Sequence, residues 1–470
     1  MMLETIRALF TRKPENLLRS KLSTRAYDAA AGGRRWRDAG ATPSIQAAVL
    51  AGREPVARRA RDSSINQPLA NSAVEVWTGE AIGTGMRPVP QTGDDALDKI
   101  LADRFEAWTD ECDYFGLESF YGWQATACRR AFVDGEFFSL MVFADEQLRL
   151  KALDPAQVNP ALSMELPGGG LVISGVEVDA GGKPTAFHIY RNWIPGLPLL
   201  RGLESVRIDA ADVLHLFRPD AAGQTRGMSR LASVLLRLRE LDSLTDGQLV
   251  RLKTGAFLAG FLTTVDGGGA LGEQTVPGEV TLEPGTMTRL GPGESVEFSK
   301  PPEIGSESNA FQKAVIREIG AGVGVPSFML DHDLSEVNFS SARTAIIAFR
   351  RRVEAWQDAF AFQMLRPVYR RFVTTEILSG RLAVPLNAST LKHKWIAPKG
   401  QWLDPLKDAQ AEALAISSGL TSRRESVAAR GIDVESLDNE IAADRAREER
   451  LGLSFAPPPQ QQTGVENVAP

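Results

Sequence analysis

The most regular pattern of apolar positions lies in the last third of the chain. Apolar residues recur there at alternating intervals of three and four positions, which places them on one face of an α-helix. They are Ile346, Phe349, Val353, Trp356 and Phe360. Pro367 follows inside the same periodic run, and we expect it to kink the helix because it lacks a backbone donor and crowds the preceding turn.

Less regular versions of this period predict further helices along most of the chain. Pro68 suits the first turn of one of them, and Ser229 can cap a long one. A bend within that long helix is compatible with Gly247 and Gly255. The predicted helices are 45–61, 68–83, 97–109, 117–132, 229–260, 309–320, 405–417, 422–430 and 434–451.

Between residues 137 and 217 the period changes to short runs rich in Val, Phe and Ile, separated by turn residues. The runs are 137–143, 149–153, 171–178, 186–190 and 213–217. The segment Asp179-Ala180-Gly181-Gly182-Lys183-Pro184 between two of them predicts a hairpin. We therefore expect an α+β fold in which a mostly antiparallel sheet packs on the preceding helices.

The region after the long helix is punctuated by Gly and Pro and predicts short strands near 279–282, 287–290 and 295–298. It is a small β insertion between two helices. After the second helix, Val325-Pro326 begins a segment, 327–340, that we predict to be irregular. No Lys or Arg occurs between Arg317 and Arg343, so a loop here could approach a polyanion without binding it tightly.

Composition and charge narrow the class of protein. The 470 residues are 43% hydrophobic and 24% charged, which is typical of a globular chain and excludes a rod or wholesale disorder. The first 61 residues hold thirteen Lys and Arg against five acids, whereas the net charge of the whole chain is −6. Such a basic arm either touches an acidic partner or is a solvated terminus. The acidic remainder argues against a large phosphate-gripping face.

The sequence offers little that is typical of an enzyme. Gly182-Lys183 is followed by Pro184 instead of Ser or Thr, so it is not a phosphate-binding loop. Asp331-His332-Asp333 is the one acidic and histidine cluster, and solvated loop residues are its simpler interpretation. Cys112 and Cys128 are predicted to be buried free thiols of a protein made in a reducing compartment. We predict no catalytic residue, cofactor, metal site or membrane span.

A series of short motifs, in order along residues 27–451, resembles the lambda-type portal family of tailed bacteriophages. Asp331-His332-Asp333 is not part of that resemblance. The motifs are Ala60-Arg61-Asp62 with Asn66 and Pro68, Gly83-Thr84-Gly85-Met86-Arg87-Pro88, Asp134-Gly135-Glu136, 175–178 with Lys183-Pro184-Thr185-Ala186-Phe187-His188, His215-Leu216-Phe217-Arg218-Pro219 with Gly223-Gln224-Thr225-Arg226-Gly227, Glu318-Ile319 with Gly324-Val325-Pro326, Asn338-Phe339-Ser340-Ser341-Ala342-Arg343, and Trp402, Asp404-Pro405, Lys407, Gly419-Leu420 and Ser422-Arg423.

The resemblance implies a portal-type fold and a ring, usually of twelve subunits, at one capsid vertex. It implies a wing of antiparallel sheet and helices, a two-helix stem, a β-rich clip, a tunnel loop, a long kinked helix and a helical C-terminal region. The corresponding segments are 1–26 for a flexible basic arm, 27–225 for the wing, 226–262 and 306–325 for the stem, 263–305 for the clip, 326–341 for the tunnel loop, 342–379 for the kinked helix, 380–452 for C-terminal wing or crown helices and 453–470 for a disordered tail.

The same resemblance implies a conduit for double-stranded DNA during packaging and ejection. Its partners would be further copies of the chain, the terminase large subunit, a head-completion or tail adaptor protein and a capsid or scaffolding protein, in a virion assembled in bacterial cytoplasm. The DNA-facing loop residues would be Asp331, His332, Asp333, Ser335, Glu336 and Asn338, and the docking residues of the clip would be Glu279, Glu283, Arg289, Glu294 and Glu297. The alternatives are a Mg²⁺-dependent nucleic-acid-processing enzyme and another capsid or adaptor protein.

Overall fold

The structure is a computed structural model. It describes residues 44–191, 193, 204–256, 260–264, 294–298, 306–398, 405–428, 430 and 434–453. The predicted arm at 1–26 lies outside the described residues, as does nearly all of the predicted tail at 453–470 and most of the insertion at 263–305. The two predicted strands near 279–282 and 287–290 fall in that insertion and are not among the described residues.

The first part of the described chain contains four helices, and capping side chains explain where three of them begin. Ser44, Asp94 and Ser119 each accept a hydrogen bond from a backbone N–H of the first turn. The helices are α1 (Ile45–Asn66), α2 (Pro68–Ala81), α3 (Asp95–Thr109) and α4 (Phe120–Asp134). All four were predicted, although α1 extends five residues further and α4 begins at Phe120 because Ser119 provides its cap.

The predicted antiparallel strands form two sheets instead of one. The first has the order β3-β2-β9 and the second the order β4-β5-β6-β7-β8, with every neighbouring pair antiparallel. The strands are β2 (Glu136–Ala144), β3 (Gln147–Leu153), β4 (Met164–Glu165), β5 (Leu171–Ile173), β6 (Val176–Val178), β7 (Pro184–Tyr190), β8 (Ser205–Asp209) and β9 (Val213–Phe217). The predicted run 171–178 is a hairpin, because Ser174 and Gly175 adopt positive φ angles between β5 and β6.

A third pairing was missed by the sequence analysis altogether. Strand β1 (Arg87–Pro90) pairs with β12 (His393–Ile396), about three hundred residues further along the chain. The sequence shows no strand pattern here, since Pro88 and Pro90 cannot donate to a sheet ladder. A two-stranded pairing tolerates them because each strand has one unpaired edge.

The second half of the described chain is mainly helical. Its elements are α5 (Leu235–Ala256), β10 (Gly260–Thr264), β11 (Glu294–Phe298), α6 (Ser306–Val323), α7 (Ser327–Asp331), α8 (Phe339–Phe360), a π-helical segment (Ala361–Leu365), α9 (Arg366–Leu378), α10 (Pro405–Ser417), α11 (Arg423–Ala428) and α12 (Val434–Leu451). Strand β10 pairs with β11, so the insertion begins and ends on an antiparallel pair.

Two predictions for this half need correction, and a third, the kink at Pro367, gains a structural detail. The long helix begins at Leu235 and not at Ser229, because the intervening residues form turns with i to i+3 hydrogen bonds. The segment predicted to be irregular starts with the short helix α7, whose Leu330 is buried. At Pro367, the helix passes through the π-helical segment just before the proline, which widens the turn where its ring would otherwise crowd the backbone.

One large core joins the helices to the first sheet. It contains Trp77, Phe105, Trp123 and Phe349, all nearly inaccessible to solvent, together with Phe372 of α9. Phe105 makes edge-to-face contacts with Phe120 and Phe372, with ring centroids 5.4 and 5.1 Å apart. A smaller apolar cluster around Phe138, Val176 and Phe187 fills the space between the two sheets. The long helix α8–α9 is therefore anchored directly on the sheet-bearing part.

Candidate channel loop and its support

Helices α5 and α6 form an antiparallel pair that carries the candidate channel loop. Leu238 and Leu241 of α5 and Val315 and Ile319 of α6 are buried. Gln248 hydrogen-bonds to Ser308 and accepts a hydrogen bond from Gln312 Nε2 at 2.5 Å near the far end of the pair. Mixed apolar and amide contacts of this kind fix one register between the two helices. The loop that follows α6 therefore starts from a defined position.

Backbone hydrogen bonds shape the loop between α7 and α8, here called the channel loop (residues 332–338). Asp331 Oδ1 accepts from the N–H of Asp333 at 3.0 Å, and Asp333 Oδ1 accepts from the N–H of Ser335 at 2.9 Å. Asn338 caps α8, where its Oδ1 accepts from Ser341 N at 2.8 Å. Short polar side chains that bond their own backbone are typical turn formers. The carboxylates of Asp331 and Asp333 therefore stabilise the conformation of the loop.

Two acids of the channel loop, Asp333 and Glu336, form ion pairs with cations of α6. Lys313 Nζ lies 2.8 Å from Asp333 Oδ2 and 3.2 Å from Glu336 Oε1, and Arg317 Nη2 lies 2.6 Å from Glu336 Oε2. Hydrogen bonds from Lys313 lower the pKa values of Asp333 and Glu336, and the two carboxylates raise the pKa of Lys313. We name these three contacts the loop ion pairs. They compensate most of the charge that the sequence alone assigned to an acidic loop.

Lys313 and Arg317 are the functional candidates that the sequence analysis missed. They stand four residues apart and therefore share one face of α6, while their partners lie about twenty residues further on. Their spacing was the available signal, but only the fold shows that this face meets the loop. Among the predicted loop residues, His332 has a left-handed backbone and lines a cavity with Pro68, Asn71 and Glu75 instead of joining the ion pairs.

A second charged cluster is buried where the first sheet meets the segment leading into α5. The carboxylate of Glu136 accepts hydrogen bonds from Arg226 Nη2 at 2.6 Å, from Arg53 Nη1 at 2.8 Å and from Gly227 N at 3.0 Å. His215 Nε2 lies 3.2 Å from the same carboxylate. We name these residues the buried charge cluster. Their solvent exposure is low, at 1% for the side chain of Glu136 and 0% for Arg226.

The electrostatics of this cluster follow from burial and pairing together. Burial alone would raise the pKa of the Glu136 carboxyl, but the charge of Arg226 and the hydrogen bonds from His215 and Arg226 outweigh it and lower that pKa. Burial lowers the pKa of His215, which favours the neutral imidazole. Glu136 is therefore held as a carboxylate between two guanidinium groups.

Two glycines allow the backbones on either side of this cluster to touch. Gly135 has a φ angle of +91°, and a Cβ there would overlap the backbone of Met228. A Cβ on Gly227 would overlap the carbonyl oxygen of Gly135. Next to them, Asp134 is bound by Arg61 at 2.6 Å and by Arg130 at 2.5 Å. Four of the motifs on which the resemblance rested, those containing Arg61, Glu136, His215 and Arg226, therefore meet at one place although they are spread over about 170 residues.

The other candidate residues are less informative. Glu279, Glu283 and Arg289 lie outside the described residues, and Glu294 and Glu297 lie on β11 opposite Thr264 and Phe261.

Burial raises the pKa of both cysteine thiols to about 12, so the predicted buried free thiols are confirmed and are unreactive. Within the described ranges, no group of three His, Cys, Asp or Glu residues could hold a metal ion. No described helix is long and apolar enough to span a bilayer.

Comparison with known proteins identifies the family. The family model described as "Phage portal protein, lambda family" matches residues 32–357. A probable portal protein of Halomonas phage phiHAP-1 is 26% identical over 449 residues, covering 89% of this chain and 85% of that protein. Portal protein B of Escherichia phage lambda is 25% identical over 325 residues, covering 61% of this chain and 60% of that protein.

Among solved structures, the neck of the native gene transfer agent particle computed with C12 symmetry aligns with a TM-score of 0.49 at 14% identity. The alignment covers 81% of this chain and 93% of that one. The family match spans both stem-candidate helices, the channel loop and the buried charge cluster. The chain belongs to the lambda family of phage portal proteins.

Proposed function

We propose that twelve copies of this chain form a closed ring at one capsid vertex, through which double-stranded DNA is packaged and later ejected. Family membership supports a portal role. The net charge of −6 per chain supports a conduit, because a ring of such chains repels DNA from unintended surfaces. A closed ring uses heterologous contacts, in which one face of a subunit meets a different face of its neighbour.

The channel loop carries the central step of this proposal. We infer that residues 326–341 form the tunnel loop and that the channel loop within them faces the passing DNA. The supporting observation is that Lys313 and Arg317, the cations beside the loop, are already engaged by Asp333 and Glu336. Cations held by carboxylates are less available to phosphates, and phosphate contacts supply most of the affinity for DNA. DNA could then slide past this part of the wall.

The remaining segments take the roles that the family implies. Helices α5 and α6 would be the stem, the region 27–225 the wing, and the insertion 263–305 the clip. The clip would dock the terminase large subunit during packaging and a head-completion or tail adaptor protein afterwards, while wing surfaces would meet capsid or scaffolding protein. The site of action would be the virion vertex, after assembly in the bacterial cytoplasm. The pairing of β10 with β11 supports a clip that leaves and re-enters the stem at one point.

Two measurements on the intact chain test the proposal. Light scattering should give a mass of about 612 kDa for twelve copies of the 51.0 kDa chain, and end-on electron micrographs should show a central hole. Deletion of 332–337 should leave the ring intact but reduce packaging or retention of full-length genomes. A deletion of 454–470 serves as the matched control for shortening the chain. Normal packaging by the loop-deleted ring would contradict a channel-facing loop.

A further inference from the structure

An open groove lies between the end of β2 and the outer face of α9. Its volume is about 670 Å³, and its apolar wall includes Met141, Phe143, Pro367 and Leu378. Phe143 is 63% exposed and Leu378 is 77% exposed. Two large apolar side chains this accessible at the rim of one groove are unusual for a surface without a partner.

Arginines stand on the α9 side of the groove, and only some of them have carboxylate partners. Arg371 is already bound to Asp212 at 2.6 Å, and Glu376 is shared by Arg104 and Arg381. Of the two remaining arginines of α9, Arg370 lines the groove, whereas Arg366 lies one turn before it with its guanidinium 5.8 Å from the centre of the Phe362 ring. Neither has a carboxylate within 4.0 Å among the residues that the structure describes. On a chain of net charge −6, such a pair favours an acidic ligand.

We propose that this groove docks an acidic, amphipathic segment of a partner protein. An apolar side chain of the partner would pack against Phe143 and Leu378, and its carboxylates would bind Arg366 and Arg370. Arginine and aromatic residues are the types enriched where protein interfaces gain most of their binding energy. This docking function is separate from DNA passage and from the clip.

The observations favour protein over the other possible occupants. A DNA backbone would need the two arginines but would gain nothing from exposed Phe143 and Leu378. The N-terminal residues 1–43 hold nine Lys and Arg against four acids, and the C-terminal residues 454–470 hold a single acid, Glu466. Neither end of the chain supplies the acidic partner that Arg366 and Arg370 call for. A separate acidic protein segment satisfies both the charge and the apolar wall.

The test uses the assembled full-length protein and two designed fluorescent peptides of about sixteen residues, or four helical turns. Both carry the same Leu and Phe positions, flanked by Glu in one and by Lys in the other. Fluorescence anisotropy should show binding of the Glu peptide and none of the Lys peptide. Arg366→Glu with Arg370→Glu should weaken binding at least about tenfold, and so should Phe143→Ser with Leu378→Ser. Arg351→Glu, at another exposed arginine, should leave the affinity unchanged.

Four results would overturn the proposal. One is absence of Glu-peptide binding at about 1 mM, or equal binding of the Lys peptide. Another is that a DNA duplex of about 30 base pairs binds through the two arginines regardless of Phe143 and Leu378. A change in the mass of the assembly after the arginine reversal would assign the groove to a second copy of the chain. Peptide binding that requires removal of 454–470 would assign it to the chain's own end. Unchanged melting temperatures of all variants establish that the substitutions leave the fold intact.

Discussion

The buried charge cluster and the loop ion pairs use the same chemistry in opposite surroundings. In both, a carboxylate bridges two basic side chains: Glu136 joins Arg53 and Arg226, and Glu336 joins Lys313 and Arg317. The first is nearly inaccessible to solvent, whereas the side chains of the second are 33% to 60% exposed. Solvent screens the exposed contacts strongly and the buried ones little.

Because of this difference, we expect the buried charge cluster to stay intact and the loop ion pairs to break easily. Removing one partner of a buried pair leaves an uncompensated charge in a medium that cannot solvate it. Removing one partner of an exposed pair returns the other partner to water at little cost. We therefore expect the buried charge cluster to hold the segment leading into α5 on the sheet throughout the life of the protein. The loop ion pairs contribute little to stability, so the channel loop can separate from Lys313 and Arg317 without a large cost in free energy.

The largest effect should follow from Glu136→Gln. The substitution keeps the shape of the side chain but leaves Arg226 buried without a counter-charge and Arg53 with only the exposed Glu54, 3.7 Å away. We therefore expect a loss of about 3–5 kcal/mol in the free energy of unfolding. Urea titration of the purified protein, followed by tryptophan fluorescence, measures it. Asp438→Asn, which removes the exposed partner of Arg423, is the matched control and should change the midpoint little. Equal midpoints for both variants would contradict the proposed rigidity of the cluster.

The next effect concerns the two touching backbones. Gly227→Ala places a methyl group against the carbonyl oxygen of Gly135, and we expect a loss of about 1–3 kcal/mol because backbone on both sides must shift. Gly247→Ala, in the middle of α5 with no neighbouring atom within 4 Å of the new Cβ, is the matched control. It should stabilise the protein by up to about 1 kcal/mol through helix propensity. A stabilising Gly227→Ala would show that the contact is looser than described.

The contrast between these regions also explains what the sequence could and could not predict. Most helices were predicted, because their apolar period is local; α8, which also has a local cap in Asn338, is an example. The pairing of β1 with β12 was not predicted, because the two strands are about three hundred residues apart and no local pattern links them. Motif positions such as Glu136 and Arg226 were selected by resemblance alone, without any sign that they touch. The two acids of the channel loop, Asp333 and Glu336, were selected without their cations, because periodicity cannot show which helix face a loop will meet.

A smaller effect should follow from Lys313→Gln with Arg317→Gln. These side chains are exposed, so we expect the melting temperature to stay nearly unchanged, whereas the channel loop should become more accessible. Limited proteolysis within 332–338 at low salt should be faster in the variant than in the native protein. Raising the salt concentration should reduce this difference, because screening weakens the native ion pairs as well. The pair Arg423→Gln with Arg424→Gln is the control for lost surface charge. Identical cleavage rates at low salt would show that the ion pairs do not hold the loop.

The smallest effect is the pH dependence of the loop. Lys313 lowers the pKa values of Asp333 and Glu336 in the folded protein, so their contribution is present above the unfolded values, near pH 4. This stabilising contribution is lost as the pH falls through the lower pKa values that Asp333 and Glu336 have in the folded protein. Loop protection measured by hydrogen exchange should therefore be constant from about pH 8 to pH 5 and decline only in stronger acid. The Lys313→Gln variant should show a smaller decline, because Arg317 still lowers the pKa of Glu336 and hydrogen bonds from Ser335 still lower that of Asp333. A decline that begins above about pH 5 would contradict control of the loop by these two carboxylates.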